Sequence, residues 1–208
     1  MSKMRGSRCA GPIRAGRRAA ALFCAGVAIL VASCGGSTAI PRALLREARP
    51  VGAGPRFQPP VRGRTVGRCE RTLGPRYAVH VEVFAANRVV IVPAGIGTRR
   101  PRRLQDGQVI QARCYGALVT LAPTGVVLIR DGVSLRLGKL FRAWGEPLSP
   151  LRLASFRASP GAHVSVFVNG RRWRGGPRAV RLRRHAEIVI EVGPHVPPHD
   201  SFAFPPGE

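Results

Sequence analysis

A chain of 208 residues with 45% apolar content holds enough hydrocarbon for one packed domain, which excludes a wholly disordered polymer. The 34 Lys and Arg against 10 Asp and Glu leave a formal charge of +24. Every base except Lys3 and Lys139 is arginine, so a GC-rich coding bias accounts for part of that surplus.

Residues 1–18 carry six bases and no acid, and "AAALFCAGVAILVAS" at 19–33 is uncharged, apolar and ends in small residues, the plan of a signal peptide. "VASCGGS" at its end resembles the bacterial lipobox, in which the cysteine, here Cys34, is acylated and becomes the mature N-terminus. Residues 1–33 are therefore read as a lipoprotein signal peptide and Cys34 as the lipidation site. Ala19 to Ile40 is also long and apolar enough for an uncleaved membrane anchor, and Arg17-Arg18 hints at twin-arginine export. Each alternative places the remaining chain outside the cytoplasm, attached to the cell membrane. Cys9 and Cys24 fall in the discarded segment, so Cys69 and Cys114 remain as an even pair in an oxidising compartment and are expected to form a disulfide.

Residues 34–66, rich in Gly, Pro and Arg, read as a tether. Residues 67–208 read as a single β-rich extracytoplasmic domain: a small hairpin-rich sandwich or barrel-like fold with one short amphipathic helix. "YAVHVEVF" and "RVVIV" are predicted strands joined at Ala85 to Asn87; "ALVTLA" and "GVVLIR" follow around Pro123 to Gly125, then "VSLRL" after Asp131-Gly132. "LGKLFRAWG", 137–145, places Leu137, Leu140, Phe141 and Trp144 at helical spacing before Gly145. Strands resume with "HVSVFV", the Asn169-Gly170 turn, "RRWRG", "AVRL" and "AEIVIEVG". "HVEVF" at 80–84 recurs as "HVSVF" at 163–167, which puts His80 and His163 in like places in two hairpins. The Pro-rich tail, 193–208, is expected to run extended, with Phe202 and Phe204 as docking residues.

Four stretches in this order, "VPAGIG", "C…GVVLI", "LGKLFRAWGEPL" and "VNGRRWRGGPRAVRLRRHAEIVIEVG…VPP…FAFPPG", resemble a functionally uncharacterised family of exported bacterial lipoproteins. Members typically carry HxHAHL-, LHTHD- and GVIHIE-like motifs, whose clustered histidines look like a metal site. In this chain the first motif falls on Ala78 and His80. The second falls on Val119 and Leu121, with Ala122 for the acid, and the third on Leu128 and Arg130. With one histidine left at those positions, the resemblance implies a scaffold without a tight transition-metal site.

No Ser-His-Asp, Cys-His, paired-carboxylate or phosphate-loop arrangement is recognisable, so no catalytic residue and no cofactor is expected. Glu82, Asp106 and Asp131 are the carboxylates nearest the hairpins, but Asp106 and Asp131 each precede glycine, which suits a turn. The favoured reading is a membrane-anchored, non-catalytic binding or structural module. One alternative is metal handling by His80, His163, His185, His195 and His199. Another is binding of anionic wall polymer or lipid head groups by "RRPRR" at 99–103, "RRWR" at 171–174 and "RLRR" at 181–184; export argues against nucleic acid.

Overall fold

A computed structural model describes residues 61–86 and 88–205. Cys34, the signal peptide and most of the tether lie outside the described residues. The chain is mainly β, with 39% strand against 8% helix, arranged as several small sheets without a closed barrel.

The largest sheet is built on β1 (Arg76–Ala85) and β12 (Glu187–Val192), which pair in parallel with His80 opposite Glu187 and Phe84 opposite Glu191. β10 (Ser165–Val168) and β11 (Arg171–Arg172) extend it beyond β12, while β6 (Val126–Arg130) and β5 (Leu118–Val119) extend it beyond β1, and β2 (Arg88–Val89) adds a short edge to β1. The predicted hairpins at Pro123 to Gly125 and Asn169-Gly170 are both formed, the latter with positive φ at both turn residues as a tight primed turn requires. The parallel β1/β12 pair was not expected, because strands far apart in sequence leave no turn signal between them.

Alternation along the central strands defines two faces. Val79, Val81, Val83, Val127, Ile129, Ile188 and Ile190 enter the main core. There they meet α1 (Leu137–Trp144), whose Leu137, Leu140, Phe141, Ala143 and Trp144 are buried as the spacing predicted. Each fully buried Leu or Phe stabilises by about 1.5–3 kcal/mol. Gly145 ends the helix in a left-handed conformation, φ 91°, its N–H bonded to Phe141 O. A small sheet of β7 (Leu148–Ser149), β8 (Arg152–Leu153) and β9 (Phe156–Arg157) follows, with Leu148 and Leu153 in the same core. Residues 61–66 also pack on the domain, Arg62 N–H and Gly63 N–H donating to Trp144 O and Ala117 N–H to Val66 O.

The opposite face carries a second apolar cluster that includes Ala78, Val109, Ala112, Tyr115, Val119, Val126 and Leu128. Val109, Ala112 and Tyr115 come from an arginine-rich ribbon, β3 (Thr98–Gln105) with β4 (Gln108–Tyr115), closed by Asp106-Gly107 in positive φ. "TRRPRRLQ" carries no apolar alternation and did not read as a strand; it forms one because β4 pairs with it. Two other expectations are corrected. "VSLRL" and "AVRL" are not strands: they touch through one isolated bridge, Arg136 to Arg181, and Pro177–Ala179 is a short 3-10 turn. The 3-10 turn takes up Ala179, so only Val180 to Leu182 meet the 135–137 stretch, through Leu137 N–H to Val180 O and Leu182 N–H to Leu135 O.

Cys69 and Cys114 are disulfide-bonded, with Cα atoms 5.4 Å apart. The bond ties the chain beside the Glu70–Tyr115 bridge to the end of β4. No helix among the described residues is long and apolar enough to cross a membrane. The 45-residue separation predicts a loss of about 4 kcal/mol in the Cys69→Ser, Cys114→Ser double variant, on chain-entropy grounds. Urea denaturation checks the loss, and alkylation of the unreduced, unfolded wild type should find neither thiol free.

Candidate functional site

Four acids or histidines gather on the second face of β1 and β12, beneath the tail that crosses it. Because side chains alternate along a strand, His80 and Glu82 share this face on β1, and Glu187 and Glu191 share it on β12. The parallel register sets His80 directly beside Glu187. Its Nδ1 lies 2.7 Å from Glu187 Oε2, with both side chains buried at 6% and 1% exposure.

The imidazole is held on every side. Its Nε2–H donates to Thr124 O at 2.9 Å, in the Pro123 to Gly125 turn. With Nε2 so engaged, one proton must lie between Nδ1 and Oε2, on the ring or on the carboxyl. Gly125, φ 84°, lies against the ring: a Cβ there would stand 2.6 Å from Val81 O and 2.9 Å from His80 Nε2. Phe202 of the tail stacks on the other side at 3.7 Å and 12°. The hairpin that carries no reactive group therefore serves as the seat of a buried histidine. Its fully buried Thr120 anchors the "VPAGIG" loop, donating to Pro93 O at 2.6 Å and accepting from Ile96 N–H.

The tail repeats the pairing twice. His195 Nδ1 meets Glu191 Oε1 at 2.7 Å while Val196 N–H donates to Glu191 Oε2, and His199 Nδ1 meets Glu82 Oε2 at 2.8 Å. Phe204 stacks on His185 and edge-on to Phe202, as the expected docking of both phenylalanines requires. The hydrogen bond that the ring donates to Glu82 is the main cause that raises the His199 pKa above its usual value; Glu82, Glu187 and Asp200 add favourable charge, and partial burial opposes them.

His163 is exposed ahead of β10, and β12 separates β10 from β1, so the sequence likeness of His80 and His163 does not bring them together. Ala78, Val119, Leu121 and Leu128, which fall where the motifs of the resembled family place histidines, do converge, at the second apolar cluster. Arg130 turns to Glu70 at 3.1 Å and to the carbonyls of Arg68, Tyr115 and Gly116. Asp106 sits in the β3/β4 turn and Asp131 pairs with Arg184 at 3.0 Å. Sequence reasoning named His80, His195, His199 and Glu82 singly. It missed Glu187 and Glu191, and which acid each histidine meets, since partners 107 and 117 residues apart show no local signal.

A second feature is a cleft of about 530 Å³ whose lining includes Arg136, Arg181, Arg183, Arg184 and Trp173. Trp173 is 38% exposed, its indole N–H held by Gly176 O. Arg184 lies over the Tyr77 ring at 5.1 Å. Of the sequence's Arg clusters, 181–184 lines this cleft with three arginines and 171–174 contributes Trp173, while 99–103 lies on the separate ribbon. Compared with protein-family models, with curated proteins and with solved structures, the chain shows no match.

A raised folded-state pKa means the His199 pairing contributes fully below about pH 6.5 and is lost as the pH rises through the raised value. Under metal-free conditions the NMR titration midpoint of His199 should lie above that of the isolated tail peptide and fall back in Glu82→Gln. An unchanged midpoint in that variant would remove Glu82 as the cause. Phe202→Ala, which uncovers the His80 ring, should destabilise by about 1 kcal/mol in urea melts.

Proposed function

We propose that this chain is an exported lipoprotein, a divergent member of the family it resembles, anchored to the membrane through Cys34, whose domain is a non-catalytic module that binds an anionic polymer of the cell wall. The observation that supports the ligand class is the convergence of Arg136, Arg181, Arg183 and Arg184 with partly exposed Trp173 around one cleft whose lining, among the described residues, holds no acid. Guanidinium groups present fixed forks of donors that match phosphate and carboxylate oxygens, and an aromatic face beside them packs against the backbone of a polymer. Even without the six bases of residues 1–18, the chain keeps a large positive charge, which steers such a ligand to the surface from a distance. No catalysis is assigned: the described histidine–acid pairs point at carboxylates and a carbonyl, and none at a Ser, Thr or Cys nucleophile.

The test is binding of long-chain polyphosphate by the full chain in neutral detergent. Affinity should fall steeply with salt, and Arg181→Ala with Arg183→Ala should weaken it at least tenfold and flatten the salt dependence. Salt-insensitive binding, or binding indifferent to these substitutions and to Trp173→Ala, removes the cleft as the site. Preference for anionic vesicles over the free polymer would move the ligand to lipid head groups. Palmitate labelling in cells should tag the wild type and be lost in Cys34→Ala.

A further inference from the structure

We infer that His80, Glu82, Glu187 and His199 form a site for one divalent transition ion, with Zn(II) the best match, in which the sheet supplies three ligands and the tail the fourth. The donor atoms of His80, Glu82 and Glu187 lie within 4.8 Å of one another. His199 Nδ1 lies 2.8 Å from Glu82 Oε2, which brings the tail's imidazole to the same group. A tetrahedral zinc with ligands at about 2.0–2.2 Å spaces its donors by about 3.5 Å, so the three sheet ligands close by small turns of their side chains, while the His199 ring, bonded to Glu82, swings inward to complete the set.

Three features favour an ion over a purely structural cluster. First, the His80 ring is already oriented as a ligand: Nε2–H is committed to Thr124 O, leaving Nδ1 toward the carboxylates, and metal-bound histidines commonly donate their second N–H to a backbone carbonyl in this way. Second, Glu187 is 1% exposed, yet its Oε1 has no hydrogen-bond partner among the described residues. A buried carboxylate oxygen without a donor is costly, and a cation among these groups would supply the missing partner. Third, two carboxylates and two neutral imidazoles balance a 2+ charge, and that mix of nitrogen and oxygen donors suits a borderline ion. Phe202, stacked on His80, limits water at the sheet side, while the exposed His199 marks the route of entry.

On binding, the ion replaces the proton held between His80 and Glu187 and the one between His199 and Glu82, and both protons pass to solvent. This site shares only His80 with the positions where the lipoproteins that the chain resembles carry clustered histidines; Glu82, Glu187 and His199 lie outside them.

The experiment is calorimetric titration of Zn(II) into the full chain, purified without a histidine tag and stripped with chelator, alongside the visible absorption of the Co(II) form. One ion per chain, a dissociation constant at or below about a micromolar and a tetrahedral Co(II) band are expected. Glu82→Gln and His199→Ala should each weaken binding about tenfold or more. His195→Ala, which alters the neighbouring Glu191 pair, should leave it unchanged. Both deciding side chains reach solvent, so these variants test the site even where Glu187→Gln fails to fold, and circular dichroism verifies that they remain folded. Absence of one-to-one binding in the wild type overturns the inference, as does binding undiminished in both Glu82→Gln and His199→Ala, or weakened equally by His195→Ala.

Discussion

The bond between His80 and Glu187 is the constraint on which the rest of the second face depends. A carboxylate at 1% exposure has no water to solvate it, so its neighbour must supply a proton or a charge. Breaking such a buried pair by removing one member costs about 3–5 kcal/mol, because the other is left alone in a low-dielectric interior. The pair forms only if β12 lies beside β1, parallel and in this register; a one-residue slip would turn Glu187 into the main core and Ile188 out of it. Electrostatics and hydrophobic alternation thus select the same register from opposite sides of one strand.

Around that pair the fold recruits segments from all over the chain. The turn after β5 brings Thr124 O to the imidazole, and glycine at 125 is required because any side chain there would collide with Val81 O and the ring. The tail contributes Phe202 to the ring and two histidines to neighbouring carboxylates. A tail with so many prolines cannot add a strand to the sheet, since proline has no amide hydrogen to give a ladder. Its attachment comes instead from side chains: stacked rings and histidine–carboxylate bonds.

The distribution of charge follows a similar division. The chain has 10 acids, and three of them, Glu82, Glu187 and Glu191, stand on one face of two adjacent strands. Placed there they collect the tail's histidines, and the arginines gather elsewhere, on the β3/β4 ribbon and around Trp173. Arginines along an exposed two-stranded ribbon also discourage pairing with another chain's edge. The two candidate sites accordingly differ in the sign of ligand they can take, an anion at the cleft and a cation beneath the tail.

Local signals in the sequence determined a good part of this. Period-two runs marked β1, β6, β10 and β12, Asn169-Gly170 marked a hairpin, the spacing from Leu137 to Trp144 marked the helix, and cysteine counting marked Cys69 with Cys114. These succeed because each depends on backbone geometry or hydrophobic contrast within a few residues, or on redox chemistry that leaves one available pairing. The β3/β4 ribbon was illegible, since "TRRPRRLQ" has no hydrophobic contrast and is a strand only by virtue of its partner. The three histidine–carboxylate pairs were hidden for a related reason. Two of them join residues more than a hundred positions apart, and nothing near His80 in the sequence marks Glu187 as its partner. Only the tertiary structure, by setting β12 parallel beside β1 and laying the tail across both, decided which acid each histidine would meet.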